Sequence, residues 1–405
     1  MKNNEVLNKE LEYISLCAEE KEEIKKIVSE LILKLKKEGL IAKIGGSLAK
    51  GTMIKKDTQD IDLFIVFKNK EELTNLENKL LKTNLSFVKL HGSRDYFQIK
   101  MDKFTVELIP VIGIKNPDNA ENVTDLSLMH VDYVLKKINK NKKLADEIKL
   151  AKAFCYAQGC YGAESYIRGF SGYALELLVI YFGSFINFIK KIDKERIIDP
   201  KKLYKNKQKI KEELNESKIL SPVVLIDPTN KLRNACSSLS EETFNKFISA
   251  SKKFIKCPSL KLFEKQVMDI DKIQKQAISK KAKIIQMRLY TDRQEGDIAA
   301  TKMKKFYEFI VNELKNKSQK VLFSSFSYDG GQESFGFLTI KENKKIIMPG
   351  PSIKLKEAVK SFKQAHKNTF TKGNKIYSRR NITLQEIFNS LKRFEDEMNV
   401  RFDIN

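Results

Sequence analysis

Two acidic residues stand two positions apart at the start of a run of strand-forming residues. They are Asp60 and Asp62, in the segment DIDLFIVF at 60–67. Because successive side chains of a strand point to opposite faces, both carboxylates are expected on one face. Two negative charges held so close favour a bound cation. Mg²⁺ takes hard oxygen ligands and keeps coordination positions open for phosphates.

A third acidic residue, Glu107, lies between two apolar residues in a later predicted strand. We expect it to complete a carboxylate triad that holds two Mg²⁺ ions, with Asp60 and Asp62 bridging them and Glu107 on the ion nearer an attacking hydroxyl. Such a pair of ions activates the hydroxyl and steadies a triphosphate with its leaving pyrophosphate. The alternative is a solvated edge strand, but residues 63–67 are too apolar for an exposed edge.

A Gly-Ser element precedes the acidic pair, in the segment GSLAKGT at 46–52. Gly46 and Ser47 are expected to form a turn into a helix whose free N–H groups, with the Ser47 hydroxyl, bind a triphosphate. Lys50 adds positive charge one turn later. A Gly-Ser turn alone is a weak signal. The gap between Ser47 and Asp60 supports it, because it leaves room for one helical turn and the start of a return strand.

The composition favours a polyanionic partner. The chain has 76 Lys and Arg against 52 Asp and Glu, a formal net charge of +24. This charge opposes folding through self-repulsion but favours binding to nucleic acid, although a lysine-rich genome is an alternative explanation. No stretch approaches the roughly 20 apolar residues of a membrane span, and the first residues lack the apolar core of a signal peptide. The five cysteines have no metal-ligand spacing. We expect a cytoplasmic protein without a membrane partner.

The residue pattern predicts an α+β protein, and a length of 405 residues predicts about two to four domains. A catalytic domain is expected at 1–140, a helical central domain at 141–258, and a C-terminal α+β body and tail at 259–405. The first domain is predicted to have one or two helices in 8–39 and a small mixed sheet with strands at 41–44, 60–67, 95–100 and 104–110. Helices are expected from 145 to 192, and a strand at 223–227 is expected to lead into a helix at 232–234.

The C-terminal part alternates between strand and helix patterns. Strands are predicted at 282–290, 320–328 and 334–340, helices at 298–316, 355–367 and 384–398, and a turn at 348–351.

Basic residues of this C-terminal part alternate with aromatic ones, a pattern suited to the backbone of double-stranded RNA. A solvated lysine-rich face is the alternative. The candidate RNA-binding residues are Lys354, Lys360, Lys363, Lys367, Arg379 and Arg380, with Phe362, Phe370 and Tyr377 between them.

Several of these motifs together resemble one family. The chain is similar to the archaeal-type (class I) CCA-adding enzymes, which are tRNA nucleotidyltransferases of the polymerase β superfamily, and the likeness runs along most of its length. The segments that carry it are 46–52, 60–64, 106–110, 161–164, 168–173, 227–228, 233–235, 258–260 and 350–351, with Phe362 and His366 after them.

The resemblance implies a nucleotidyltransferase palm that adds C, C and A, from CTP and ATP, to the 3′ end of tRNA without a nucleic-acid template. It assigns the metal ligands to Asp60, Asp62 and Glu107. The family likeness also suggests a homodimer. The nucleotide-binding residues that it implies are Gly46, Ser47 and Lys50 for the phosphates, His130, Lys152 and Tyr161 for the triphosphate and sugar, and Arg233 for the base together with the tRNA backbone.

The residue types alone are also compatible with purely structural roles. An isolated histidine such as His130 is commonly a surface or packed residue, Tyr161 fits a core position, and Arg233 fits an ordinary surface position. Two residues depart from the family pattern, which usually has Asp in place of Glu107 and Arg in place of Lys50. Glu still ligates metals, whereas Lys loses the bidentate phosphate contact of Arg. The alternatives are a poly(A)-type terminal nucleotidyltransferase and a non-catalytic tRNA-binding protein with a decayed palm.

Overall fold

The structure is a computed structural model that describes residues 3–56, 58–92, 94–265, 270–293, 296–328 and 330–405. The chain divides into two compact units. The first comprises Met1–Ala163 with Ile167–Gln266, and the second comprises Glu164–Tyr166 with Val267–Asn405. The expected three-domain division at 140 and 258 stays a prediction.

The first unit begins with two helices and a mixed sheet, as the sequence predicts. In the described residues the sheet has five strands in the order β1-β2-β5-β4-β3, with β2 and β5 parallel and the other pairs antiparallel. Strand β2 is an apolar interior strand, and Ile61, Leu63 and Ile65 are fully buried in the core beneath it. The short β3 was not predicted. The elements are α1 (Asn3–Ile14), α2 (Ala18–Lys37), β1 (Ile41–Ile44), α3 (Gly46–Lys50), β2 (Gln59–Phe67), α4 (Lys70–Leu73), α5 (Leu76–Lys82), β3 (Val88–Leu90), β4 (Tyr96–Lys100) and β5 (Phe104–Ile112).

Helices dominate the rest of the first unit, again as predicted. Helix α7 is apolar on most of its faces, and nine of its residues are buried. Its Phe154 lies in an aromatic cluster at the centre of the core. The elements are α6 (Ser127–Lys140), α7 (Lys143–Ala157), α8 (Gly172–Phe182), α9 (Phe185–Lys191), β6 (Ile197–Ile198), α10 (Lys207–Glu213), α11 (Glu216–Ile219), β7 (Val224–Asp227), β8 (Asn230–Asn234) and α12 (Glu241–Lys256), with 3₁₀ helices at Pro117–Asn119, Val123–Leu126 and Leu260–Leu262.

The helix expected at 232–234 is wrong, because these residues belong to strand β8, which pairs antiparallel with β7. The carboxylate of Asp227 accepts hydrogen bonds from the backbone N–H of Thr229 at 2.8 Å and from its hydroxyl at 2.7 Å. These bonds close a tight turn after β7. The Asn234 side chain then accepts from the N–H of Leu225 at 2.9 Å, which fastens the returning strand.

The second unit contains two sheets in its described residues. One has the order β10-β11-β9-β15 and the other the order β12-β14-β13. Helices α14 and α16 cover a core that includes Phe306, Phe388 and Phe402. The elements are α13 (Ile270–Ser279), β9 (Lys283–Tyr290), α14 (Gly296–Asn316), β10 (Lys320–Ser327), β11 (Glu333–Lys341), β12 (Lys345–Ser352), α15 (Lys356–Ala365), β13 (Thr369–Lys372), β14 (Lys375–Asn381), α16 (Leu384–Leu391), a 3₁₀ helix at Lys392–Phe394, α17 (Glu395–Met398) and β15 (Arg401–Ile404).

The turn predicted at 348–351 is also wrong, since these residues lie in strand β12. The two prolines there are tolerated because β12 is an edge strand, and its register with β14 is irregular between Pro349 and Ser352. Gly350 has a packing role, because a Cβ at this position would lie 2.8 Å from the ring of Phe362 in α15. The predicted helix at 384–398 is divided into α16, a 3₁₀ turn and α17, and strands β13, β14 and β15 were not predicted.

In the described part of the chain, no single helix is long and apolar enough to cross a membrane. Helices α8 and α9 meet the criteria of length and composition only when taken together, and they are bent by 92°.

The aromatic cluster around Phe154 generates a stability prediction. Its ring lies 5.4–6.1 Å from four other phenylalanine rings, those of Phe185, Phe247, Phe254 and Phe263. Phe154→Ala is expected to lower the free energy of unfolding by about 3–5 kcal/mol, because it leaves a cavity in a fully packed site. Urea denaturation followed by circular dichroism measures this loss.

The matched control is Tyr13→Ala. Tyr13 is 79% exposed, so its truncation is expected to change stability by about 0.5 kcal/mol or less. Equal effects of the two substitutions would contradict the assignment of Phe154 to the centre of the core.

Candidate active site

The parallel pairing of β2 and β5 brings the three predicted carboxylates to one face of the sheet. Asp62 is paired directly with Glu107, and Asp60 with Thr105. Paired residues of neighbouring strands project to the same side, as do residues two apart on one strand. Asp60 accepts a bond from Lys56 at 3.2 Å, and Glu107 accepts one from Gln98 at 3.4 Å.

Gly46 is required by its closeness to Asp62. Its φ is +54°, and a Cβ added to it would lie 1.6 Å from Oδ2 of Asp62. The N–H of the preceding Gly45 donates to the carbonyl oxygen of Asp62 at 2.8 Å. The predicted phosphate-binding turn, Gly46 and Ser47, therefore begins helix α3 directly against the middle carboxylate of the predicted triad.

The carboxylates fit a hard divalent cation in their chemistry. Burial raises the pKa of Asp62 to about 6, with the charge of Lys50 opposing this shift and that of Asp60 adding to it. A cation beside Asp62 would offset both the cost of burying its negative charge and the repulsion from Asp60. Among the residues that the structure describes, no group of three or more His, Cys, Asp or Glu side chains already converges as a metal site. The role of Asp60, Asp62 and Glu107 as ligands thus stays a prediction.

The two lysines predicted to bind phosphate lie together. Nζ of Lys50 is 2.6 Å from Oε2 of Glu176, and Nζ of Lys152 is 2.8 Å from Oε1 of the same carboxylate. Lys152 also donates to the hydroxyl of Thr52 at 2.9 Å. Both lysines are buried, so the structure shows them as members of an internal ion cluster.

Tyr161 lies beside this cluster, between α7 and α8. A Cβ on Gly172 would be 3.0 Å from the Tyr161 hydroxyl oxygen and 3.9 Å from Cε of Lys152, so Gly172 makes room for both side chains. The ammonium of Lys56 lies 5.2 Å from the centre of the Tyr161 ring. Because Lys56 also bonds Asp60, it links this tyrosine to the acidic end of the site.

His130 and Arg233 are held by one carboxylate, that of Asp227. Nε2 of His130 is 3.0 Å from Oδ2, Nη1 of Arg233 donates to Oδ2 at 2.7 Å, and the Tyr173 hydroxyl donates to Oδ1 at 3.0 Å. The rings of His130 and Tyr173 are stacked 4.0 Å apart. The Arg233 guanidinium lies 5.7 Å from the centre of the Tyr173 ring. Two predicted nucleotide-binding residues, 103 positions apart in the chain, are thus oriented together.

The electrostatics of this group favour an ionised Asp227. Burial on its own would raise the pKa of Asp227, but the bonds from His130 and the charge of Arg233 hold it well below its usual range. Burial lowers the pKa of His130, although its bond to Asp227 acts in the opposite direction, and Lys50 adds to the lowering. Asp227 thus holds the His130 ring through its Nε2 atom.

The six predicted RNA-binding residues lie in the second unit. All six are exposed, on α15, on its flanking residues and on β14. Arg379 stacks 4.7 Å over the Phe370 ring, which is itself stacked on Tyr377. Basic and flat aromatic side chains are thus presented together on this surface.

Comparison with known proteins finds relatives of both parts of the first unit. Residues 21–154 match the family model "Nucleotidyltransferase domain", and residues 146–264 match "tRNA nucleotidyltransferase, second domain". The CCA-adding enzyme of Nanoarchaeum equitans is 40% identical over 215 residues, which cover 51% of this chain and 53% of that protein. Those of Pyrococcus abyssi and Methanocaldococcus jannaschii are 33% and 27% identical, over 64% and 87% of this chain and 60% and 80% of their own lengths.

The chain is thus similar to archaeal CCA-adding enzymes, and two nucleotidyltransferase family models match adjoining parts of it. The aligned segment spans less than two thirds of the first two relatives. The fold is also that of more distant proteins. A structure of the Cid1 poly (U) polymerase superposes with a TM-score of 0.52, at 14% identity, over 65% of this chain and 98% of the other.

Sequence reasoning missed Glu176 and noted Tyr173 and Asp227 only as motif residues. Glu176 stands within the apolar segment ALELLVIYF, where a lone acidic residue in a buried helix signals a buried basic partner. Asp227 precedes Pro228, which indicates a turn and gives no sign of its partners. Lys56 was missed because one lysine in a lysine-rich chain carries little information.

The contact between Gly46 and Asp62 generates a prediction about metal binding. Gly46→Ala places a methyl group where Oδ2 of Asp62 lies, so the carboxylate must move. Mn²⁺ affinity, measured by electron paramagnetic resonance titration, is expected to fall by about tenfold or more.

The matched control is Gly51→Ala. Gly51 has a φ of +65° with nothing within 4 Å of an added Cβ. The Gly51→Ala substitution therefore introduces the same strain of a left-handed backbone conformation, about 1–2 kcal/mol, without a clash. Unchanged Mn²⁺ affinity is expected, and an equal loss in both variants would refute the steric explanation.

The raised pKa of Asp62 generates a prediction about pH. Below about pH 6 the carboxyl is protonated, so a metal must displace a proton, and Mn²⁺ affinity is expected to rise as pH increases and to level off above that value. Because the folded pKa exceeds the ordinary 3.8, the contribution of Asp62 to the stability of the metal-free protein is present at low pH. It is lost as pH rises through about 6.

Mn²⁺ titrations and urea denaturation across this pH range measure the two trends. Asp62→Asn is expected to abolish the trend in affinity and to weaken the trend in stability, part of which remains because burial also raises the pKa of Glu10 to about 7. Asp60→Asn is expected to keep the trend in stability. A flat affinity profile in the unmodified protein would contradict the assignment of Asp62 as a ligand.

Proposed function

We propose that the chain is a template-independent tRNA nucleotidyltransferase that adds C, C and A, from CTP and ATP, to the 3′ end of tRNA. The match to the second domain of tRNA nucleotidyltransferases over residues 146–264 carries this proposal. This region supplies Lys152, Tyr161 and Arg233, together with the carboxylates that orient two of them. The named CCA-adding relatives support the same activity.

The reaction assigned to the site is attack of the tRNA 3′-hydroxyl on the α-phosphate, with pyrophosphate leaving. Two Mg²⁺ ions held by Asp60, Asp62 and Glu107 would supply hydroxyl activation and charge neutralisation. Ser47 and the N–H groups of α3 would receive phosphate oxygens, and the charges of Lys50 and Lys152 would balance the triphosphate.

Arg233 is the proposed base-reading residue. Its Nη1 is tied to Asp227, and 23% of its side chain is exposed, which orients the guanidinium while leaving part of it open to a ligand. The stacked His130 and Tyr173 rings beside it restrict its motion. A base with suitable acceptors would then meet a fixed pattern of donors.

The exposed basic residues of α15 and β14 are proposed to contact the tRNA backbone. RNA duplexes are recognised mainly through shape and phosphates, which suits lysines and arginines interleaved with Phe370 and Tyr377. A cytoplasmic location and a homodimer belong to this proposal as further expectations.

A decisive experiment supplies the purified protein with Mg²⁺ and a tRNA transcript lacking its CCA end. CTP, ATP, both, UTP or GTP is added, and the 3′ ends are sequenced. We expect C-C with CTP alone and C-C-A with both nucleotides. Asp62→Asn is expected to lower the rate by at least about a thousandfold, because one bridging carboxylate is removed.

Other outcomes identify the alternatives. Oligo(A) tails would assign the chain to the poly(A)-type transferases. Unextended ends with tight tRNA binding, unaffected by Asp62→Asn, would assign it to non-catalytic tRNA-binding proteins.

A further inference from the structure

One carboxylate at the centre of the first unit serves two lysines. Glu176, on helix α8, is fully buried, while Lys152 and Lys50 are 2% and 7% exposed. Each carboxylate oxygen accepts from a different ammonium, at 2.6 and 2.8 Å, and Oε1 also accepts from the Thr52 hydroxyl at 3.1 Å. The cluster therefore joins α7, α8 and the end of α3.

The charges of this cluster do not balance. Two ammonium groups bond one carboxylate. The charge of Asp62 also acts on both lysines, but Asp62 is a predicted metal ligand, and a cation bound to it would leave one positive charge of the lysine pair without a counter-ion. Burying charge is unfavourable unless it is paired. An arrangement serving stability alone would be expected to have one cation for each carboxylate, whereas an excess charge suits a site that receives an anion.

The position of the cluster indicates where that anion would lie. Lys50 ends the helix whose first residue, Gly46, lies against Asp62. The charges of Lys50 and Lys152 also lower the pKa of Asp62, so their field reaches the acidic face. On the other side, Tyr161 lies next to Lys152 across Gly172. The excess charge thus lies between the acidic face and a second predicted nucleotide-binding residue.

We propose that Glu176 is a positioning residue that holds Lys50 and Lys152 side by side and leaves one of their two charges for the triphosphate of the incoming nucleotide. This inference rests on the proposed function. Glu176 itself acts through the lysines and does not touch the nucleotide.

Glu176 also favours the charged form of Lys152. Burial lowers the pKa of Lys152, and the nearby Lys50 and Lys56 act in the same direction, whereas Glu176 opposes them. The neighbouring lysines in turn hold the pKa of Glu176 at about 2, despite its burial. Replacing the carboxylate by an amide removes this support and leaves two ammonium groups repelling each other.

Binding of a fluorescent N-methylanthraniloyl derivative of ATP, measured in EDTA, tests the inference without metal or turnover. The corresponding adenosine derivative, which lacks phosphates, reports on the rest of the pocket. Glu176→Gln is expected to weaken binding of the ATP derivative by about tenfold or more and to change binding of the adenosine derivative by about twofold or less. Glu176→Asp keeps the charge on a shorter side chain and is expected to give an intermediate loss.

The matched control is Asp125→Asn. Asp125 is 2% exposed and holds Arg94 and the N–H of Ile112 in the same unit, so it tests the general effect of removing a buried carboxylate. It is expected to lower thermal stability without changing the affinity for the ATP derivative. In steady-state assays, Glu176→Gln is expected to raise KM for CTP by a larger factor than it lowers kcat, because the lost interaction binds the ground state.

Binding of the ATP derivative by Glu176→Gln at the affinity of the unmodified protein would overturn the inference and leave Glu176 a purely structural role. Equal losses for the ATP and adenosine derivatives would do the same. If Glu176→Gln does not fold, unchanged binding by Glu176→Asp overturns the inference, and a loss confined to the ATP derivative supports it. A protein that binds the ATP derivative but leaves tRNA unextended would refute the proposed function alone, since the binding comparison still tests Glu176.

Discussion

The parallel pairing of β2 with β5 is the constraint on which the rest of the site depends. It places Asp62 beside Glu107 and leaves Asp60 two residues away on the same face. An apolar strand can hold these carboxylates in place because Ile61, Leu63 and Ile65 are buried on its other side. Their mutual repulsion is then fixed by the backbone and cannot relax by rotation of a surface loop. The basic groups around this face compensate for that repulsion at longer range.

Carboxylates outside the predicted triad organise those basic groups. Glu176 binds two lysines from α3 and α7, while Asp227 binds His130 from α6 and Arg233 from β8. Each therefore joins residues that are distant in sequence and sets their relative orientation. A long cationic side chain would otherwise sample many rotamers, and fixing it before a ligand arrives reduces the entropy lost on binding. The proposed nucleotide-binding geometry thus depends on residues that are not expected to touch the nucleotide.

The sequence predicted the features that are encoded locally. The alternation around Asp60 and the apolar periodicity of α7 indicate a strand and a helix in any context. The helix expected at 232–234 was wrong because the turn at Asp227 and the side chain of Asn234 fasten a strand there, through partners that no local pattern reveals. Helical spacing rules do not predict the bond between Lys152 and Glu176, because the two residues are 24 positions apart and lie on different helices. The family resemblance identified Lys152 and Arg233, but their counter-ions could be identified only from the three-dimensional structure.

The opposite pKa shifts of two neighbouring carboxyl groups give them different parts in the site. The pKa of Asp62 is raised to about 6, because burial and the charge of Asp60 outweigh the charge of Lys50. The pKa of Glu176 is lowered to about 2, because the charges of two lysines outweigh the effect of its burial. Near neutral pH, Glu176 is therefore an anion, and its charge is already paired with Lys50 and Lys152. Asp62 is closer to its titration range, because Lys50 and Lys152 offset the effect of its burial only in part. A divalent ion beside these groups would gain most from Asp62 and least from Glu176, which supports the proposed roles of Asp62 as a ligand and Glu176 as a support.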